Sequence, residues 1–376
     1  MLSLEAFGNS QIIIYLVIFI LSINILFKWQ KKTFFGIFYE NKSNLFILLI
    51  ICLIFSYIFA YRPIVGGDTF IYSHDFKIFK SNHGVVNYLE GEWVFSLLMQ
   101  ICSRFGDVQF FFLIVALGYN FFALWGIKRL FQNNIYGAMV FYWGAFSFFS
   151  YGVNGIRNGL ACAMIICALS YVLIPKNRNW IIAGILAFLA MAIHHSTTLP
   201  VVCFAAAWFI RDIKKAIFFW GLAIFIYLLA HGIVENFFAG IGFDDRLSGY
   251  IQSSNSYAAR GFKSGFRIDF LIYGFMPIWL GWYVTSKLGS KNVDITYKLL
   301  INTYIFANAF WVMLMGAAYS NRFAYLSWFL YPIVLAYPCL RMNVWGRNQG
   351  KVAGNILFFH SAFTLFMNTI YYGAIF

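Results

Sequence analysis

Asp68 follows the pair Gly66-Gly67, which lets the chain turn tightly, and with Asp75, Glu90 and Glu92 it gathers carboxylates within and just after the stretch Tyr61–Gly91. A carboxylate beside apolar helices can serve as a general base, because burial raises its basicity. The ordinary alternative is a solvated loop with a turn. Asn154 and Arg157, three apart in Tyr151-Gly-Val-Asn154-Gly-Ile-Arg157-Asn158-Gly, would share a helix face. An arginine in the first turn of a helix joins a permanent charge to open backbone N–H groups, an anion site suited to phosphate. Otherwise such an arginine snorkels to headgroups.

His194-His195-Ser196 offers side chains that could bind phosphate, shuttle a proton or ligate metal, although adjacent histidines are poorly spaced to hold one ion from a helix. Arg260, Lys263 and Arg267 recur at helical spacing and could form a cationic ridge toward a diphosphate. Tyr250, Tyr257 and Phe262 are interleaved nearby, and aromatic rings suit the apolar CH faces of a sugar. The plain alternative is a solvated loop. Ser320-Asn-Arg322-Phe-Ala-Tyr325 repeats the situation of Arg157, an arginine at a helix start. Two such arginines on one face argue for a shared anionic ligand.

The elements that must position these residues are membrane helices. The chain is 62% hydrophobic and 11% charged, and apolar runs of about 20 residues recur from end to end. The expected fold is an all-α polytopic membrane protein, a single transmembrane domain over 1–376. About twelve spans are expected, at 8–27, 43–60, 107–126, 134–151, 156–174, 179–194, 196–210, 216–234, 266–286, 294–317, 321–340 and 352–375. The first run lacks a basic leader and a small-residue cleavage site, so it reads as a retained helix. Basic clusters fall at alternate connections, and placing them inside puts both termini outside. For this to hold, 92–104 must be re-entrant or interfacial, within a first outer loop at 61–106; a second large outer loop spans 235–265. All carboxylates but Glu40, Asp212 and Asp294 then lie on the outer side. The net charge of +14 comes in short clusters between apolar runs, which fits membrane topology and excludes a nucleic-acid-tracking surface. Six cysteines inside apolar stretches, with no CxxC pair, read as packing residues.

Taken together these motifs resemble the Wzy/EpsG-type polysaccharide polymerases. The matching elements are Gly67-Asp68 with Tyr72 and Glu92, Asn154-x-x-Arg157 followed by Leu160-Ala161, His194-x-Ser196, and Arg322-x-x-Tyr325. Asn158 departs from the glutamine often found there, and Glu90-Gly91-Glu92 leaves open which glutamate corresponds. The resemblance implies a membrane glycosyltransferase with a GT-C-like bundle in the bacterial inner membrane, joining undecaprenyl-diphosphate-linked oligosaccharides on the periplasmic face. A chain-length regulator and a flippase of the same pathway are the expected partners, with no cofactor.

In that chemistry an acceptor hydroxyl attacks an anomeric carbon and lipid diphosphate leaves, so cations matter most. Arg157 and Arg322 are then expected on the diphosphate, with Asn154, Arg260, Lys263, Arg267, His195, Tyr72 and Tyr325 around it. Asp68 is the first choice of base and His194 the second, with Glu92 as a further catalytic carboxylate. No metal is required, although Asp68, His74, Asp75 and His83 leave one open. The rivals are an O-antigen ligase, a membrane acyltransferase acting through His194 or His195, and a flippase or transporter, which His360 would favour.

Overall fold

The computed structural model describes residues 2–38, 45–81, 84–88, 92–240, 265–317 and 320–371. Every regular element among them is helical. In chain order they are α1 (Leu4–Trp29), α2 (Phe34–Phe38), α3 (Leu45–Ala60), α4 (Gly67–Lys80), α5 (Trp93–Phe105), α6 (Val108–Phe131), α7 (Ile135–Trp143), α8 (Phe148–Val153), α9 (Ile156–Leu173) and α10 (Trp180–Ile193). There follow α11 (Thr198–Phe209), α12 (Ile213–Gly240), α13 (Ile268–Leu288), α14 (Ile295–Met313), α15 (Asn321–Trp328), α16 (Tyr331–Arg341) and α17 (Gln349–Phe366), with short 3-10 and π turns between or after them.

The chain forms two compact units, Met1–His194 with Leu335–Phe376, and His195–Val334. The axis of the first is α9, in which every residue except Arg157 and Tyr171 is buried. A helix apolar on all sides must be wrapped by others, and α6 and α10 do this. Helices α6 and α9 run parallel, with Gly118 against Leu160 and Gly126 against the Cys167 backbone. A side chain at Gly126 would come within 2.9 Å of the Cys167 nitrogen, so a small residue there sets the helix spacing.

The expected span 134–151 is broken. α7 stops at Trp143, and α8 begins only at Phe148. Carbonyls released by a break inside an apolar bundle need partners, because lipid supplies none. They get them from neighbouring helices. His360 Nε2 lies 3.0 Å from the Phe141 oxygen, and Thr364 donates to Gly144 at 2.6 Å. Tyr119 donates to Phe148 at 3.3 Å, and the Phe149 N–H donates to the Tyr15 hydroxyl at 3.3 Å. His360 is therefore a packing anchor of α17.

In the second unit α14 is central, contacted by α11, α12, α13 and α15. Two of its buried amides bond to neighbouring helices: Asn302 donates to the Ile210 oxygen at 2.7 Å, and Asn308 accepts from Trp220 Nε1 at 2.8 Å. Helix α12 kinks at Ala230, whose φ of −147° and ψ of 21° lie outside the helical range.

Among the described residues, six helical segments are long and apolar enough to cross a membrane: α1, α6, α9, Ile213–Phe238 of α12, α13, and α15 with α16 taken together. The count of about twelve is not reached on that measure, although helices occupy every segment expected to span. The difference is one of length and polarity. α3, α10 and α11 hold 16, 14 and 12 residues, short of the roughly 20 a bilayer core requires. The stretch 61–106 holds more structure than a loop, namely α4 and α5. Glu235, expected in the second loop, lies within α12, and 241–264 fall outside the described residues.

Candidate functional site

The site is built where four helix ends of the first unit meet. Gly66 and Gly67 have φ of 63° and 50°, a left-handed conformation that other residues resist, and they launch α4 directly into Asp68. From there Asp68, Tyr72 and Asp75 follow at four- and three-residue steps and share one face of α4. Glu92 stands at the N-cap position of α5, Arg157 in the first turn of α9, and His194 at the C-cap of α10.

Glu92 joins two of these elements. Its Oε2 accepts from Arg157 Nη1, and its Oε1 lies 2.7 Å from His194 Nδ1. Arg157 Nε donates to the Tyr72 hydroxyl at 2.9 Å. The guanidinium also sits 5.4 Å and 5.7 Å from the ring centres of Tyr72 and Phe95, which pack edge to face. Side-chain exposure is 14% for Arg157, 17% for His194 and 30% for Glu92, so the cluster is shielded yet reachable. Asp68 is close enough to Arg157 to interact electrostatically. Burial pushes the Asp75 carboxyl above its ordinary value, against the opposing pull of His74 and Arg157.

Two further features hold α9 in place. Gly159 lies so close to Tyr151 that a side chain there would meet its carbonyl oxygen at 2.5 Å. Arg62, fully buried, donates from Nη1 to Phe59 at 2.8 Å and to Gly152 at 3.4 Å, and from Nε to the Thr69 hydroxyl at 3.1 Å. Its guanidinium lies 3.8 Å over Phe112. Arg62 thus ties together the ends of α3 and α8 and the start of α4. Sequence reasoning passed over it, although an arginine directly after an apolar run and before Pro63 was a visible signal. Asn154 is the C-cap of α8, while Asn158 turns inward and accepts from Cys162 at 2.9 Å.

Of the expected site residues, Asp68, Tyr72, Glu92, Arg157 and His194 come together here, and Asp75 and Phe95 join them. The others belong elsewhere in the chain. His195, Arg267, Arg322 and Tyr325 are in the second unit, with Arg322 in the first turn of α15. Arg267 grips Asp269 through Nε and Nη2 at 2.9 Å and 2.7 Å and lies 3.8 Å over Phe270. Arg260 and Lys263 lie outside the described residues. Among the described residues no three of His, Cys, Asp or Glu are grouped to hold a metal ion.

This arrangement spans α4 to α10, and residues 45–375 match the EpsG family. The chain belongs to the EpsG family. That is the EpsG/Wzy-type polymerase family, so membership points to a polysaccharide-polymerase-type membrane protein. No curated protein and no solved structure matches the chain. The stretch matched to the EpsG family contains every residue of the Glu92 cluster.

Proposed function

We propose that the chain joins lipid-diphosphate-linked oligosaccharide units, undecaprenyl diphosphate being the expected carrier, into a surface polysaccharide on the periplasmic face of the bacterial inner membrane. The single observation that carries this reading is the carboxylate of Glu92 shared between Arg157 and His194. A glycosyl transfer that expels a diphosphate needs a cation for the departing charge and a base for the incoming hydroxyl, both in a shielded site.

Arg157 supplies the cation. Nε and Nη1 are committed to Tyr72 and Glu92, which fixes the plane of the fork. Guanidinium carries five N–H donors, and those remaining can meet phosphate oxygens. His194 supplies the base. Glu92 accepts from Nδ1, which orients the ring and assigns proton uptake to Nε2, while the carboxylate stabilises the imidazolium that forms. As the hydroxyl oxygen bonds to the anomeric carbon, its proton passes to His194 and the bond to the diphosphate oxygen breaks. Asp68, on the α4 face beside Arg157, is the alternative base.

The test is gel display of surface glycan from a deletion strain complemented with wild type or Arg157→Ala. A ladder that collapses to one repeat supports the polymerase. Long chains of normal length from the variant overturn the role given to Arg157. The break between α7 and α8 is the feature that would suit a transporter instead. Loss of all surface glycan, with intermediates trapped inside, would favour that reading.

A further inference from the structure

Of the eighteen residues of α9, the two that escape full burial are near its opposite ends, about 20 Å apart along the helix. Arg157 belongs to the cluster above. Tyr171, at the other end, supports a cleft of about 300 Å³ lined by Trp125, Lys128, Arg129, Gln132, Ile174 and Asn177.

The chemistry of this cleft is one-sided. Arg129 lies 3.7 Å over the Tyr171 ring and donates from Nη2 to the Asn177 oxygen at 3.3 Å. Its Nε is buried and has no hydrogen-bond partner among the described residues. The Lys128 ammonium sits 5.4 Å from the Trp125 ring, whose indole N–H donates to the Tyr171 hydroxyl at 3.1 Å. Arg341 adds a third cation nearby by donating to Gln132 at 3.1 Å. Among the described residues no carboxylate lines the cleft, while Trp125 and Ile174 give it apolar walls. Unbalanced cations call for an oxyanion, and apolar walls call for something attached to it. Trp125, partly exposed with its N–H satisfied, is the kind of residue that marks the edge of a bilayer.

We infer that this cleft binds the phosphate of an anionic lipid headgroup, at the membrane surface opposite the Arg157 cluster. A soluble phosphate could satisfy the same cations but would leave the indole and isoleucine surface uncovered. The site stands apart from the proposed catalytic chemistry and does not depend on it.

The test uses the full chain, purified and delipidated in detergent, with lipid adducts counted by native mass spectrometry after addition of POPG or POPC. Wild type is expected to prefer POPG about tenfold, as two cations near a phosphate warrant. Lys128→Gln with Arg129→Gln should erase the preference, while the exposed Lys215→Gln should leave it intact. Because Arg129 also ties α6 to the turn after α9, Lys128→Gln alone is read beside the double variant, with an expected loss of about threefold. Equal binding of the two lipids by wild type, or an undiminished preference in both variants, overturns the site. Inorganic phosphate is added in a separate arm. Failure to displace POPG supports the lipid as ligand, and full displacement overturns that choice.

Discussion

Arg157 and Arg267 each stand at the start of a helix in an otherwise apolar chain, and each meets a carboxylate, but the carboxylates come from very different distances along the sequence. Arg267 takes Asp269, two residues on, in a two-pronged local grip. Arg157 takes Glu92, 65 residues away, and Tyr72, 85 residues away, from two other helices. A local pair forms as soon as the helix does and serves as a cap. A pair assembled from three helices exists only in the finished bundle, and it must outweigh the cost of withdrawing both charges from water. Such a cluster is what the proposed chemistry would need, and the contrast can be tested by treating the two arginines alike.

The largest expected effect is at Arg157. Arg157→Lys keeps the charge but loses the planar fork, so polymer formation from lipid-linked units should fall by about a hundredfold or more. If lysine restores wild-type rates, only charge matters there. Glu92→Gln should cost about tenfold to a hundredfold, since it loosens both Arg157 and His194. Combined with Arg157→Lys, its effect should be non-additive by about 1–3 kcal/mol in a double-mutant cycle. Full additivity would mean that the shared carboxylate does not couple them.

Arg267→Gln should act mainly on stability, by about 1 kcal/mol in thermal unfolding, with a modest change in polymer output. A loss as deep as that of Arg157→Lys would erase the distinction drawn above. The smallest effect is at Asp75. Its carboxyl titrates above the unfolded value, so the folded state holds the proton more tightly, and stability falls as pH rises from the ordinary carboxylate range through the raised value. Asp75→Asn should remove that fall, giving a variant more heat-resistant than wild type at neutral pH and equal to it in acid. Parallel melting curves for the two proteins at both pH values would remove the assigned cause.

Much of the fold was legible because lipid imposes long apolar runs, and helices lie in each segment expected to span. What hydropathy hid was structure finer than its averaging window. α4 carries Asp68, His74, Asp75, Lys77 and Lys80, so it reads as a loop, although the spacing of Asp68, Tyr72 and Asp75 was already helical. The break after Trp143 was hidden for the opposite reason, since Gly144-Ala-Phe-Ser147 is nearly as apolar as the helices it separates. At the site, Arg157 and His194 were visible as polar residues at the ends of apolar runs. Their link through Glu92 was not, because a contact across 102 residues leaves no trace in spacing. Glu92 was named as a catalytic carboxylate through the resemblance alone, and its place just before α5 begins at Trp93 is what sets it in the cluster.

The pinning of the α7–α8 gap by His360 and Thr364 has a consequence for biogenesis. The two side chains that cap Phe141 and Gly144 are translated more than two hundred residues after the carbonyls they serve. Until α17 leaves the translocon, the nascent bundle carries a polar seam with no lasting seal, and shortening the chain before residue 349 should mark it for quality-control proteolysis even though every residue of the Glu92 cluster has already been made.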